Sequence, residues 1–335
     1  MRTVIFKGPG QPLAIERGAD PVPGAGHVVL KVGRCGICRS DLHMSSGEGP
    51  MFPLGTAPGH EYAGEIVALG RDVGHLKIGD RVTALPMTGC GVCEACRAEE
   101  PYWCTQTALM IGGFSEFVAA DARYVVKLPA ALTLSDGALV EPLAAARQAV
   151  RLAELPQGAK VLVIGAGPMG LAAVYWARLM GAGSIAVTAR STRNAALAEA
   201  MGAAAFVQHG EGLAARVADA LKGSPDIVIE CVGSVGLVPE AIDCVRPRGT
   251  VLVTGLCFHP EPIVFGLAAV KQLRVQFSIA YALEDFRAAV EALDRGELAP
   301  RVLVTDTIAL DALPATFEAL RGPSLHCKVH VDPWA

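Results

Sequence analysis

The stretch KVLVIGAGPMGLAAVYWARLMGA, residues 160–182, holds two different patterns in one run. Val161–Ile164 is apolar without alternation, as a strand buried on both faces of a parallel sheet would be. Gly165, Gly167 and Gly170 follow with the spacing G-x-G-x-x-G, and an apolar segment of helix length opens at Pro168. A glycine turn between a buried strand and a helix lets backbone approach a pyrophosphate at the helix N-terminus. Gly165, Gly167, Pro168, Met169 and Gly170 are therefore candidate dinucleotide-binding residues.

Outward from this turn the chain alternates. Strands are expected at Ser184–Thr188, Ile227–Glu230 and Thr250–Thr254, with helices at Arg193–Met201 and near Leu237–Cys244. Such alternation predicts a doubly wound α/β fold with a parallel sheet over residues 146–295. An NAD-binding sheet of this kind carries an acid at the end of its second strand, which binds the ribose 2′-OH. In SIAVTARSTR (184–193) no acid is present; Thr188 and Ala189 precede Arg190, with Ser191 and Arg193 close behind. Positive charge and small hydroxyls there suit a 2′-phosphate, hence NADP. The alternative is that the two arginines merely solvate a helix start.

Composition narrows the partners. The chain has 335 residues, 52% hydrophobic and 19% charged, with a formal net charge of −4. That is globular, of about two domains, and lacks the basic excess that nucleic acid or an anionic membrane would call for. Small molecules remain. The start, MRTVIFKGPG, has no h-region, and the most apolar run, Val161–Ala177, is broken by three glycines and a proline. A secretory signal or a membrane span is not expected, and a cytoplasmic location follows. Ten cysteines in a reducing compartment point to metal ligands or buried thiols before disulfides.

Four of them lie in GCGVCEACRAEEPYWC (89–104): Cys90, Cys93, Cys96 and Cys104, spaced C-x2-C-x2-C-x7-C in a segment without helical or strand period. Four thiolates can close a tetrahedron around zinc at about 2.3 Å per bond, leaving no open position, so this site would be structural. A second group is dispersed: CGICRSDLH (35–43), GHEYAG (59–64) and LVEPL (139–143). Cys38, His60, Glu61 and Glu141 offer sulfur, nitrogen and oxygen donors, and three protein ligands with one exchangeable position are what catalytic zinc requires. Taken alone, a His-Glu pair is more often a surface or salt-bridged feature than a ligand set. In LVEPL, Pro142 is expected to break a helical pattern.

With these motifs assembled, the chain resembles the zinc-dependent medium-chain alcohol dehydrogenase/reductase family over nearly its whole length. GHEYAGEIVALGRDV from Gly59, GDRV at Gly79–Val82 and the four-cysteine spacing carry the resemblance, and EPL at Glu141 is similar to the polyol and bacterial branch. The resemblance implies a GroES-like, partly open β-barrel catalytic domain at 1–145 with both zinc sites, a Rossmann cofactor domain at 146–295, and a return to the catalytic domain at 296–335. It implies catalytic zinc at Cys38, His60 and a glutamate, leaving Glu61 and Glu141 open as the resting ligand, and it leaves Cys35 a buried thiol. Ser40 and His43 resemble a proton relay, against the alternative that His43 is a plain loop histidine. Val232, Gly255, Leu256, Ser278 and Ile279 would adjoin the cofactor. Lys328 in CKVHV would approach its pyrophosphate, with His326 as competitor. The expected activity is alcohol–carbonyl interconversion by hydride transfer with NADP(H), two zinc ions per chain, in a homodimer or homotetramer. A polyol dehydrogenase using NAD and a non-catalytic NADPH-binding protein are the alternatives; the second has no use for an open metal site. Met44, Met51, Phe52 and Leu85–Met87 point weakly to an apolar substrate.

Overall fold

Residues 1–47 and 49–335 are described by a computed structural model, and they divide into two units: Met1–Ala144 with Tyr281–Ala335, and Ala145–Ala280. The first unit is organised around the ten-residue strand His27–Gly36. It pairs with Phe117–Asp121 at its start, with Lys328–Asp332 at its end, and with Glu61–Leu69 along its length. Register shifts at Val29/Leu30 and Val32/Arg34 put local bends in the long pairing. The complete sheet has seven strands, in the order Val304–Ala309, Lys328–Asp332, His27–Gly36, Glu61–Leu69, Arg81–Ala84 and Val125–Lys127, with Phe117–Asp121 beside His27–Gly36. Val4, Phe6, Leu30, Tyr62, Ile66, Phe114, Phe317 and Val331 belong to its buried core.

This register determines where the functional residues gather. Gly36 is opposite Glu61 on one side and His330 on the other, so the starts of the 61–69 and 328–332 strands meet the end of the 27–36 strand just before Cys38. A Cβ on Gly36 would lie 2.0 Å from a carboxylate oxygen of Glu61, so only glycine admits that side chain here.

The helix Leu134–Leu152 opens with a reciprocal cap. Asp136 accepts from the Thr133 N–H (2.7 Å) and Oγ (2.8 Å), and Thr133 Oγ accepts from the Asp136 N–H (3.1 Å). Contrary to the expected break, the helix continues through Pro142. Proline removes one intrahelical donor but leaves the rest of the ladder intact, and Val140, Leu143 and Ala144 are fully buried around it, so packing offsets the lost bond.

The second unit is a six-stranded, wholly parallel sheet ordered Ala205–Gln208, Ser184–Ala189, Lys160–Ile164, Ile227–Glu230, Thr250–Val253, Arg274–Phe277. In chain order that is 3-2-1-4-5-6, the doubly wound arrangement. Ile227–Glu230 is buried at all four positions. Four elements go beyond the sequence reading: two strands, the helix Leu213–Leu221 and the short helix Phe265–Val270. The strands Ala205–Gln208 and Arg274–Phe277 are sheet edges whose half-exposed residues weaken the apolar signal. The helix Leu213–Leu221 buries Leu213, Val217 and Leu221 at four-residue spacing, between Gly212 and Lys222 in left-handed conformations.

The return to the first unit falls at Tyr281, fifteen residues before the expected 296. The helix Leu283–Asp294 is tied there: the Leu283 N–H donates to the Glu99 carbonyl (3.0 Å) and Arg287 pairs with the Glu99 carboxylate. Among the described residues no helix is long and apolar enough to cross a membrane.

Candidate active site and metal centres

Ligand atoms of Cys38, His60 and Glu61 all lie within 4.8 Å of one another. Cys38 is the N-cap of the helix Arg39–Ser46, and its N–H donates to Asp41 Oδ2 (3.0 Å). Asp41 Oδ1 faces His60 Nδ1 at 3.1 Å, and Asp41 is completely buried. A carboxylate on Nδ1 fixes the ring, so that a cation displacing the Nε2 proton would meet a nitrogen already oriented for it, as in metal-binding imidazoles. Burial alone would lower the imidazole's pKa, but Asp41 and Cys38 beside it raise it well above the ordinary value. Ser40 Oγ donates to Cys38 Sγ (3.2 Å) and lies 3.4 Å from His60 Nε2. His43, partly exposed, sits one turn further along the helix. Asp41 went unassigned in the sequence; its offset of three from an N-cap was the available signal.

Glu61 is answered by Lys328. The ammonium donates to Oε1 (2.6 Å), Oε2 (2.7 Å) and the Ile37 carbonyl (3.1 Å); Lys328 is 2% exposed and Glu61 1%. This overturns the expectation that Lys328 meets a cofactor pyrophosphate, because all three of its donors are engaged beneath the metal-ligand cluster. His326, the competitor, is half-exposed and lies 3.8 Å from Asp306. In the same strand as Lys328, His330 is buried against Ser135 Oγ (3.1 Å), and burial together with the Lys328 charge pushes its pKa down to about 3.

Glu141 lies outside the 4.8 Å group. It is buried, its pKa is raised chiefly by burial, and Oε1 accepts from the hydroxyl of Tyr281. Cys38, Asp41, Glu61 and Glu141 thus share a largely buried region with the Lys328 ammonium and the His60 imidazole. Sulfur, nitrogen and oxygen donors gathered in this way fit a divalent cation. Of the residues expected to make an apolar pocket, Phe52, Leu85 and Met87 are core and Met44 is half-buried against it, which leaves Met51 exposed.

The four thiols Cys90, Cys93, Cys96 and Cys104 form a second group within 4.8 Å, and no cysteine is in a disulfide. A tetrahedron of 2.3 Å Zn–S bonds has edges of about 3.8 Å; Cys90 and Cys96 Sγ are 4.0 Å apart. The N–H groups of Cys90 and Gln106 donate to Cys104 Sγ, each at 3.3 Å. Backbone donors from Val92 and Cys93 draw the Cys90 thiol down to about 6. A Cβ on Gly89 would lie 2.7 Å from Cys96 Sγ, so the cradle needs glycine. Four sulfurs this close together, with Cys90 and Cys104 on backbone donors, fit zinc.

In the second unit Gly165 has φ +109°, and a Cβ on Gly170 would be 1.9 Å from the Gly165 carbonyl. A Cβ on Gly167 would meet nothing within 4 Å, which leaves its backbone approachable at the start of the helix Pro168–Leu179. Asn194 Nδ2 donates to the Ala166 carbonyl (2.7 Å) and steadies the turn. Arg190 and Arg193 are exposed just beyond the neighbouring strand, with Ala189 closing that strand. Val232, Leu256 and Ile279 are exposed, and Gly255 is partly so, all just beyond the carboxyl ends of later strands of the same sheet. Two assignments change. Thr188 is wholly buried with an unpartnered hydroxyl, and its role runs through the carbonyl that accepts the Gly165 N–H (2.8 Å). Ser278 is buried too, with its N–H on the Val253 carbonyl.

Comparison with known proteins agrees with both units. Residues 24–130 match the family described as alcohol dehydrogenase GroES-like domain, and 168–295 that described as zinc-binding dehydrogenase. The chain is 35% identical over 341 residues to (R,R)-butanediol dehydrogenase of Bacillus subtilis (strain 168), covering 96% of each protein. To sorbitol dehydrogenase of Mus musculus it is 30% identical over 345 residues, covering 99% of this chain and 96% of that one. A protein from Sinorhizobium meliloti 1021, solved bound to NADP, superposes with a TM-score of 0.91 at 29% identity, covering 99% of each chain. A GroES-like unit bearing an S/N/O donor cluster, together with a Rossmann unit, defines an alcohol–carbonyl oxidoreductase that works with zinc and a nicotinamide cofactor. The chain belongs to the zinc-dependent medium-chain alcohol dehydrogenase family.

Proposed function

We propose that the protein is an NADP(H)-dependent dehydrogenase of small alcohols, with one catalytic and one structural zinc per chain. The observation that carries the cofactor reading is the carboxyl end of the strand Ser184–Ala189, where Arg190 and Arg193 stand exposed and no acid follows. A 2′-phosphate gains charge-assisted bonds from guanidinium groups, whereas a free 2′-OH would lack its carboxylate partner.

When bound, zinc supplies Lewis acidity to the substrate oxygen and the nicotinamide exchanges the hydride. Cys38 and His60 hold the metal with Glu61 or Glu141 as third ligand, and Cys90, Cys93, Cys96 and Cys104 hold the structural ion. Asp41 fixes the His60 ring. The Ser40 hydroxyl, at the donor cluster, takes the substrate proton onward, and His43 passes it to solvent. Gly165, Gly167, Pro168, Met169 and Gly170 cradle the pyrophosphate; Val232, Gly255, Leu256 and Ile279 line the remainder of the cofactor. The substrate class is a small alcohol bearing a second hydroxyl, a reading supported by the butanediol and sorbitol dehydrogenases among the relatives. The protein acts as a homo-oligomer, which the exposed Val275, Phe277 and Ile279 on and beyond an edge strand support.

Titration with NADP and NAD tests the proposal. NADP should bind more tightly, and Arg190→Asp should reverse the order, with a loss of NADP affinity of about tenfold or more from a charge-assisted bond of ~1.5–3 kcal/mol. An NADP dissociation constant unmoved by the substitution would sink the cofactor assignment.

A further inference from the structure

Tyr281 sits where the chain re-enters the first unit, 140 residues from Glu141, and its hydroxyl donates to Glu141 Oε1. Both side chains are buried. The phenol hydroxyl is the donor of this bond and the carboxylate oxygen its acceptor. Among the described residues nothing donates to Glu141 Oε2.

The ring and the helix that follows it are both anchored. Phe286 packs against it at 5.5 Å between centroids. The helix that follows is capped by Asp285 Oδ2 on the Ala282 N–H (3.0 Å) and fastened to the four-cysteine lobe by Glu99, through the Leu283 N–H and Arg287. A donor so anchored does more than satisfy a buried carboxylate: it fixes which oxygen remains available.

We propose that Tyr281 is a positioning residue for the catalytic metal centre, engaging Glu141 Oε1 so that Oε2 alone is offered to the cluster of Cys38 and His60. The inference rests on the reading of that cluster as a metal site. Partners that orient metal-binding carboxylates typically account for about 10- to 100-fold in metal affinity.

The test uses the full-length zinc-loaded protein and its cobalt-exchanged form. Tyr281→Phe removes one oxygen and keeps the ring, so the fold should persist. Under a chelator, loss of the Cys38/His60 metal should quicken by about tenfold while the four-cysteine metal leaves at its wild-type rate, and the cobalt ligand-field bands of the catalytic centre should shift. In a Glu141→Gln background, Tyr281→Phe should add nothing further to the rate of loss. Unchanged release and bands in Tyr281→Phe would overturn the proposal, as would an undiminished effect in the Glu141→Gln background. Failure of the underlying reading looks different: the unsubstituted protein would then hold only the four-cysteine metal, and the proposal would fall with it.

Discussion

Lys328→Met probes the most deeply buried ion pair at the site. The substitution keeps most of the side chain's volume and removes an ammonium that makes contacts of 2.6, 2.7 and 3.1 Å to Glu61 and the Ile37 carbonyl. Glu61, 1% exposed, then loses the donor that serves both of its oxygens, and no other is seen among the described residues. Removing one partner of a buried pair costs about 3–5 kcal/mol, because the remaining charge is uncompensated. An independent bound comes from proton uptake: an ordinary glutamic acid can be neutralised at pH 7 for about 3.7 kcal/mol, and at pH 5 for about 1 kcal/mol. The deficit at pH 7 should therefore be about 3–4 kcal/mol and should shrink by more than half at pH 5. For a unit of about 200 residues, at roughly 2–4 °C per kcal/mol, the melting temperature should fall by about 6–16 °C. Melts followed by circular dichroism at both pH values, on wild type and variant alike stripped of metal, keep a cation from replacing the ammonium. Lys328→Met with Glu61→Met should recover most of the loss, since no charge remains unpaired. A fall below about 3 °C at pH 7, or a deficit that does not shrink at pH 5, would refute the buried-pair account.

Three further substitutions probe the first unit. Burial alone would raise Asp136, but Arg301 and Thr133 hold its carboxyl below the usual range. Stability linked to a depressed carboxylate is present above the unfolded-state pKa near 4 and is lost as pH falls through the folded value. Asp136→Ala should thus cost about 2 kcal/mol at pH 6, mostly the helix cap, and converge with wild type toward pH 2; urea titrations showing a constant gap would contradict it. Cys93→Ser should lower the zinc content by one per chain and depress the melting curve while the Cys38/His60 metal stays. Cys38→Ser should instead abolish turnover with the four-cysteine metal retained, and elemental analysis with steady-state rates separates the two.

Short-range spacing carries some of this protein in plain view. A turn of G-x-G-x-x-G after a buried strand and four cysteines within fifteen residues each describe geometry that a few consecutive dihedrals determine, so the glycine turn and the four-cysteine group were legible in the sequence, whereas the grouping of Cys38 with His60 was carried by the family resemblance. Periodicity likewise exposed the central parallel strands. It failed at the edges, Ala205–Gln208 and Arg274–Phe277, because a strand with one neighbour buries less and shows less pattern. Pro142 misled for a related reason: propensity predicted a break, and packing around the helix outweighed one missing hydrogen bond.

What pairs with what around the metal ligands was decided by the tertiary structure. Lys328 meets Glu61 across 267 residues because the 328–332 strand and the 61–69 strand flank the same end of His27–Gly36. Tyr281 meets Glu141 because the chain re-enters the first unit at that residue. Residue type and local spacing nominate donors, but which carboxylate is neutralised by an ammonium and which is held by a phenol depends on strand register and on the path of the chain. Those are properties of contacts far apart in sequence, where no periodicity reaches.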